Sequence, residues 1–190
     1  MQAVQFPGSD SLVARLDQSV RRSCMQDIAH SVKDSLVDLI ETDRIALPDS
    51  AQAPGETSYG RHLLYRSDEH DYVVVAMAWG PGQGTPVHDH AGVWCVECVV
   101  KGEIEVVQYD LMEQVEDRCR FECQDLVHAG PGSAGALIPP FEYHTIANAI
   151  PDETSVTLHI YGRELETCAI FEPLSDGWYR RELKSLSYKN

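Results

Sequence analysis

The chain has 190 residues and a formal charge of −15, from 30 acidic against 15 basic side chains, with 43% hydrophobic composition. That length suffices for one domain with a sizeable core, and so acidic a surface argues against nucleic acid or an anionic membrane as partner. No stretch is apolar for long enough to span a bilayer, and the N-terminus lacks a basic region followed by an apolar one, so a cytoplasmic protein with its six cysteines mostly reduced is expected.

Residues 10–44 carry helical signals. Asp10 or Ser11 stands ready to cap LVARLDQSVRR, and Ile28, Val32, Leu36, Leu39 and Ile40 recur at near-helical spacing behind it. Two helices packing on a larger body are expected, followed by a Pro- and Gly-containing loop over residues 47–55. Beyond it the pattern changes to strands: residues 59–65, a turn around Ser67 to His70, and a continuous apolar run from Tyr72 to Trp79. Short strands bounded by turns recur to about Phe171, which predicts a mainly β protein of the jelly-roll kind. The expected organisation is a helical segment and linker over 1–57, a barrel over 58–172 and a polar tail over 173–190 that either docks on the barrel or frays.

The most informative stretch is WGPGQGTPVHDHAGVWCVECVVKG, residues 79–102. On an extended strand His88 and His90 point to one side and Asp89 to the other, so two imidazoles can reach one ion. Glycines and prolines punctuate the loop before them, and VWCVECVV after them reads as a buried strand ending in a turn at Lys101-Gly102. Gly82, His88-Asp89-His90, position 95 and Gly102 together resemble the first sequence motif of the cupins, in which position 95 is normally a ligating Glu; here it is Cys95. Pro139 to Asn148, with His144 between them, resembles the second cupin motif, although the usual Gly before the histidine is absent.

The resemblance makes His144 the third ligand and implies a cupin jelly-roll barrel. Three neutral imidazoles leave a divalent ion its full charge and, if octahedral, about three open positions, which favours an anionic ligand such as a thiolate. Redox iron suits such a site, while zinc or copper would bind at least as tightly in a test tube.

Within the cupins the chain is more similar to the thiol dioxygenases, cysteine dioxygenase in particular, over roughly residues 59–172. That resemblance implies Fe(II) on His88, His90 and His144, a small-molecule thiol and O₂ as partners, and a sulfinate product. It puts Cys95 where some members join a cysteine to a tyrosine by a thioether, with Tyr161 as the matching tyrosine. Thr157, His159 and Tyr161 share one strand face, so a relay from hydroxyl to imidazole to phenol can point at the metal. Tyr59 and Arg61 match the family's Tyr-x-Arg, in which the planar guanidinium fork holds the substrate carboxylate. Arg61, where 3-mercaptopropionate enzymes typically have Gln, tilts the expected substrate toward cysteine. Trp79 matches an aromatic near the site, and Cys168 a family cysteine. One departure stands out: the family continues after the tyrosine with Ser-Pro-Pro, whereas this chain has Gly162-Arg163-Glu164. The mercaptopropionate enzymes also have Gly there, and Arg163 offers a second cation for a differently placed or additional carboxylate, as in a mercaptosuccinate-type substrate.

Three other readings compete. Cys95, Cys98, Cys119 and Cys123 imitate the ligands of a zinc ribbon, but the odd separation places Cys95 and Cys98 on opposite strand faces. A cupin isomerase, or a dioxygenase acting on carbon, would bind metal and ignore thiols. A non-catalytic, small-molecule-binding cupin would bind without turnover. His30, His62, His70 and His128 have no partner at chelating spacing and read as surface or peripheral histidines. The oligomeric state is open.

Overall fold

The computed structural model describes residues 4–42 and 44–189. Helix α1 (Ser9–Ser19) and helix α2 (Met25–Glu41) come first, then a short 3-10 turn at Asp49–Ala51. Helix α1 begins one residue ahead of the expected caps. Gly8 precedes it with φ of 91°, pressed against the Arg44 carbonyl where a Cβ has no room, and Asp10 and Ser11 fall inside the first turn. Helix α2 is capped by Cys24, whose sulfur accepts from the Asp27 amide at 3.4 Å. The helical expectation to residue 44 runs past the end of α2 and over residue 43, which lies outside the described residues.

Eleven strands follow: β1 (Gly60–Arg66), β2 (Val73–Trp79), β3 (Val87–His88), β4 (Cys95–Lys101), β5 (Ile104–Val115), β6 (Arg118–Ala129), β7 (Ala134–Leu137), β8 (His144–Asn148), β9 (Ser155–Tyr161), β10 (Thr167–Pro173) and β11 (Tyr179–Ser185). They form a five-stranded sheet in the order β1-β2-β9-β4-β7 and a second sheet in the order β10-β11-β6-β5-β8-β3. The second closes on itself because β3 also pairs with β10, at His88↔Ile170 and Val87↔Phe171. The protein is thus mainly β with a cupin architecture and two helices at its N-terminal side. Among the described residues no helix is long and apolar enough to cross a membrane.

Burial explains the continuous apolar runs. The helices cover the outer face of the first sheet, so its central strands have no solvent side and every residue of β2 and β9 is buried. Val74, Ala76, Val96, Leu158 and Ile160 face α1 and α2, packing with Leu12, Leu16, Val32, Leu36 and Leu39. The alternate residues, Val73, Val75, Met77, Trp79, Cys95, Val99 and Tyr161, face into the barrel. The polar members of β9, Ser155, Thr157 and His159, lie on that inward face, and such groups are tolerated in a core only with partners.

Asn148 ties the barrel at the end of β8. Its amide donates to the Trp79 and Glu153 carbonyls at 2.9 and 2.7 Å, and its oxygen accepts from Ser155 Oγ at 2.7 Å. The segment after residue 172 is no free tail: β11 pairs with β10 along its whole length, from Thr167↔Ser185 to Pro173↔Tyr179. Leu186 and Tyr188 then fold back against the inner core, and the Lys189 amide donates to the Arg61 carbonyl at 2.7 Å.

Candidate metal centre

The second sheet brings the three histidines together. His88 on β3 and His144 on β8 are direct cross-strand partners, which explains why two residues so distant in sequence meet. His90 follows where β3 ends. Asp89 faces away, as the alternation predicts, and fastens that end: its carboxylate accepts from the Ala169 amide at 2.8 Å and the Ala91 amide at 3.1 Å. One ligand nitrogen from each of His88, His90 and His144 lies within 4.8 Å of the others.

The backbone sets the tautomers of two of them. Nδ1 of His144 is 2.9 Å from the Glu142 carbonyl and Nδ1 of His88 is 3.2 Å from the Pro86 carbonyl. A carbonyl only accepts, so Nδ1 carries the proton and Nε2 keeps its lone pair turned inward, the outer support usual for metal-binding imidazoles. Burial lowers all three to a pKa of about 3, and neighbouring histidines push in the same direction. They are therefore neutral donors at physiological pH. The Glu142 carboxylate lies 3.7 Å from Nδ1 of His90, beyond hydrogen-bond reach, and with the imidazole neutral this contact is no ion pair.

The first sheet supplies the surrounding chemistry. Trp79 Nε1 donates to Thr157 Oγ1 at 2.9 Å, and Thr157 Oγ1 lies 2.7 Å from Nε2 of His159. The other nitrogen of His159 is 3.4 Å from the Tyr161 hydroxyl and 3.9 Å from the Cys95 sulfur. The chain of contacts from Trp79 through Thr157 and His159 to Tyr161 thus exists, and the Tyr161 ring centroid stands 6.0 Å from that of His90. Cys95 and Tyr161 are cross-strand partners. Burial drives the Tyr161 phenol well above its ordinary pKa, with Cys95 adding to the effect, and raises the Cys95 thiol likewise; both keep their protons.

Arg61 is buried on β1. One terminal nitrogen is 3.5 Å from the Leu165 carbonyl, the other has no partner, and the guanidinium lies 4.9 Å from the centre of the Tyr188 ring. Tyr59 packs against Trp79 with ring centroids 4.6 Å apart and planes tilted by 35°. Tyr59, Arg61, His88, His90, His159, Tyr161 and Cys168 line one small cavity whose remaining walls include Met77, Ile146, Leu165 and Leu186.

Arg163 is not part of this cavity. It is exposed and donates to the Ala91 carbonyl at 3.2 Å. The strand alternation that placed Thr157, His159 and Tyr161 ends at Tyr161, and the Gly162 amide turns to the Trp94 carbonyl, which sends Arg163 outward. All six cysteines are free, and among the described residues the histidine trio is the one cluster arranged so that it could hold a metal ion, so the zinc ribbon has no counterpart.

Two groups, Glu97 buried and Tyr188 partly so, escaped the sequence reading. Glu97 lies on the inward face of β4 beside the trio, raised by burial to a pKa of about 7. Alternation from Cys95 could have found it. Tyr188, set against Arg61 by the return of the C-terminal segment, had no local signal.

A family model described as cysteine dioxygenase type I matches residues 55–173, well over half of the chain. The chain is similar to cysteine dioxygenase type 1 of Rattus norvegicus and of Mus musculus, 20% identical over 114 residues in each case, covering 60% of this chain and 56% of those proteins. The matched stretch therefore spans just over half the length of these curated relatives. Among solved structures, a cupin-2 domain protein of Rhodospirillum rubrum is 17% identical with a TM-score of 0.48, covering 70% of this chain and 74% of that one. The cupin domain of Schizosaccharomyces pombe Cnp3 is 13% identical with a TM-score of 0.45, covering 64% of this chain and 71% of that one. The match of the family model, which takes in every strand from β1 to β10 and all three histidines, makes this chain a member of the cysteine dioxygenase type I family.

Proposed function

We propose that the protein is an iron(II)-dependent thiol dioxygenase that converts L-cysteine, or a close thiol carboxylate, to the sulfinic acid: RSH + O₂ → RSO₂H, with both oxygen atoms ending on sulfur. The observation that carries this reading is that Arg61, a buried guanidinium with one unpaired terminal nitrogen, lines the same cavity as His88 and His90. A cavity with an anion clamp beside imidazole metal donors suits a small molecule carrying both a carboxylate and a thiol.

Iron(II) on His88, His90 and His144 would supply a Lewis-acidic, redox-active centre for sulfur and O₂. The protein's own groups do the rest. Arg61, steadied by Tyr188 and the Leu165 carbonyl, holds the carboxylate in a bidentate grip, with the Tyr59 hydroxyl beside it. Tyr161 keeps its proton and presents it as a hydrogen-bond donor, while Thr157 and His159 fix its position from behind. Met77, Ile146, Leu165 and Leu186 exclude water. Joining the Cys95 sulfur to the Tyr161 ring, with two hydrogens passed to O₂, would lock the phenol further, and intact mass would register their loss. The free cysteines suit a reducing compartment such as the cytoplasm.

A second substrate, 3-mercaptopropionate, is favoured by Gly162. A Cβ there would run into the Trp94 indole, which packs in the helix-facing core, so this position cannot take the Ser of the cysteine enzymes. Oxygen uptake by iron-loaded protein with cysteine, 3-mercaptopropionate, mercaptosuccinate and cysteamine tests the reading, and absence of uptake with all four refutes it. Arg61→Gln should lower kcat/KM for the carboxylate thiols by about 10- to 100-fold, shifting preference from cysteine toward 3-mercaptopropionate and sparing cysteamine. An unchanged profile would remove Arg61 from its role.

A further inference from the structure

Arg163 turns outward, yet Arg61 is not the only cation at this end of the barrel. A second cavity, of about 290 Å³, shares Tyr59, Arg61 and Leu186 with the cavity that contains His88 and His90, and one of its walls is the C-terminal segment 184–189. Backbone bonds hold that wall in place: the Leu186 amide donates to the Glu166 carbonyl at 2.8 Å and the Lys189 amide to the Arg61 carbonyl at 2.7 Å. Three positive side chains, Arg61, Lys184 and Lys189, line this cavity, and no Asp or Glu does. In a chain with 30 acidic and 15 basic residues, such segregation suits an anion and repels a cation.

The cations have bonding capacity to spare. Arg61 is 5% exposed; one terminal nitrogen reaches the Leu165 carbonyl at 3.5 Å and the other has no partner, so this buried fork calls for an acceptor. Lys184 stands opposite Cys168 across β10 and β11, so the two side chains project from the same face, and Cys168 lines the histidine cavity. Lys189 gives one hydrogen to the Pro54 carbonyl at 2.7 Å, and an ammonium has further donors. Glu164, an acid whose charge reaches Tyr188, is engaged by Arg66.

We propose that this second cavity is an anion subsite, in which Lys184, aided by Lys189, receives the second acidic group of a thiol substrate whose first carboxylate rests on Arg61. The proposal rests on the thiol dioxygenase reading and narrows its substrate class to thiols with two carboxylates, of the mercaptosuccinate type. A monocarboxylate leaves the subsite to water. The dicarboxylate therefore gains an interaction that cysteine and 3-mercaptopropionate do not make.

Succinate carries both acids without the sulfur, and propionate carries one, so calorimetry on the full chain, with and without iron, tests the subsite without turnover. Succinate should bind about 3- to 10-fold more tightly than propionate, a preference that Lys184→Gln removes and added salt weakens. Arg163→Gln, outside both cavities, should keep it. In iron-loaded protein, Lys184→Gln should lower the ratio of kcat/KM for mercaptosuccinate to that for 3-mercaptopropionate by the same factor. Equal affinity for succinate and propionate, or a preference that survives in Lys184→Gln combined with Lys189→Gln, would overturn the proposal. Inorganic phosphate bound as tightly as succinate would mark a site for free anions and overturn it too. Succinate preference without oxygen uptake on any thiol would instead refute the dioxygenase reading and leave the dicarboxylate subsite standing.

Discussion

The two sheets share one cavity and divide its chemistry. The closed second sheet contributes His88 and His144 as neighbours across β3 and β8, with His90 just past the strand end. The helix-backed first sheet contributes Arg61, Trp79, His159 and Tyr161 to its wall, with Thr157 and Cys95 in contact with His159 behind them. The reason is packing. The first sheet is buried on both faces, and the polar run on its inner face from Trp79 through Thr157 and His159 to Tyr161 is partnered side chain to side chain. The second sheet has an exposed outer face along β5, β6 and β11, and its inward residues are anchored chiefly by backbone carbonyls. Metal binding and proton positioning should therefore be separable by mutation.

The largest break in that separation comes from the second sheet. His88→Ala should abolish bound metal and with it all thiol-dependent oxygen uptake, as metal analysis and an oxygen electrode would show, while the fold persists by circular dichroism. On the outer face of the first sheet, Leu158→Ala should cost about 2–5 kcal/mol of stability in denaturant melts, with metal content per folded chain unchanged. Tyr161→Phe should keep the metal and lower kcat by about 100-fold; a variant that lost metal instead would mean the two sheets are not separable. Smallest is Thr157→Val, which removes the hydroxyl between Trp79 and His159 and should reduce kcat by about 5- to 10-fold, about the value of one buried hydrogen bond, with KM little changed.

How much of this was legible depended on range. The alternation around Asp89 and along Thr157, His159 and Tyr161 is a local property of strands, and those side chains lie where it puts them. Pairing His88 with His144 required a motif, because cross-strand contact between β3 and β8 leaves no local trace. Arg163 went astray where the strand ended and the period of two no longer applied. Glu97 was obscured by the cysteines on either side of it, which drew attention to zinc rather than to the face it shares with Cys95. The closing of the C-terminal segment over Arg61 is a tertiary event, set by the register of β10 with β11 and by Tyr188 finding an aromatic place on the guanidinium.

The central claim is that a thiol and O₂ react at the three imidazoles. Its most direct test is to follow oxygen consumption and sulfinate formation together in iron-loaded protein, with cysteine and 3-mercaptopropionate as substrates and His144→Ala as the blank. One O₂ consumed per sulfinate formed, abolished in the blank, is the predicted result. Oxygen uptake no faster than in the blank, or uptake that yields disulfide without sulfinate, would contradict it.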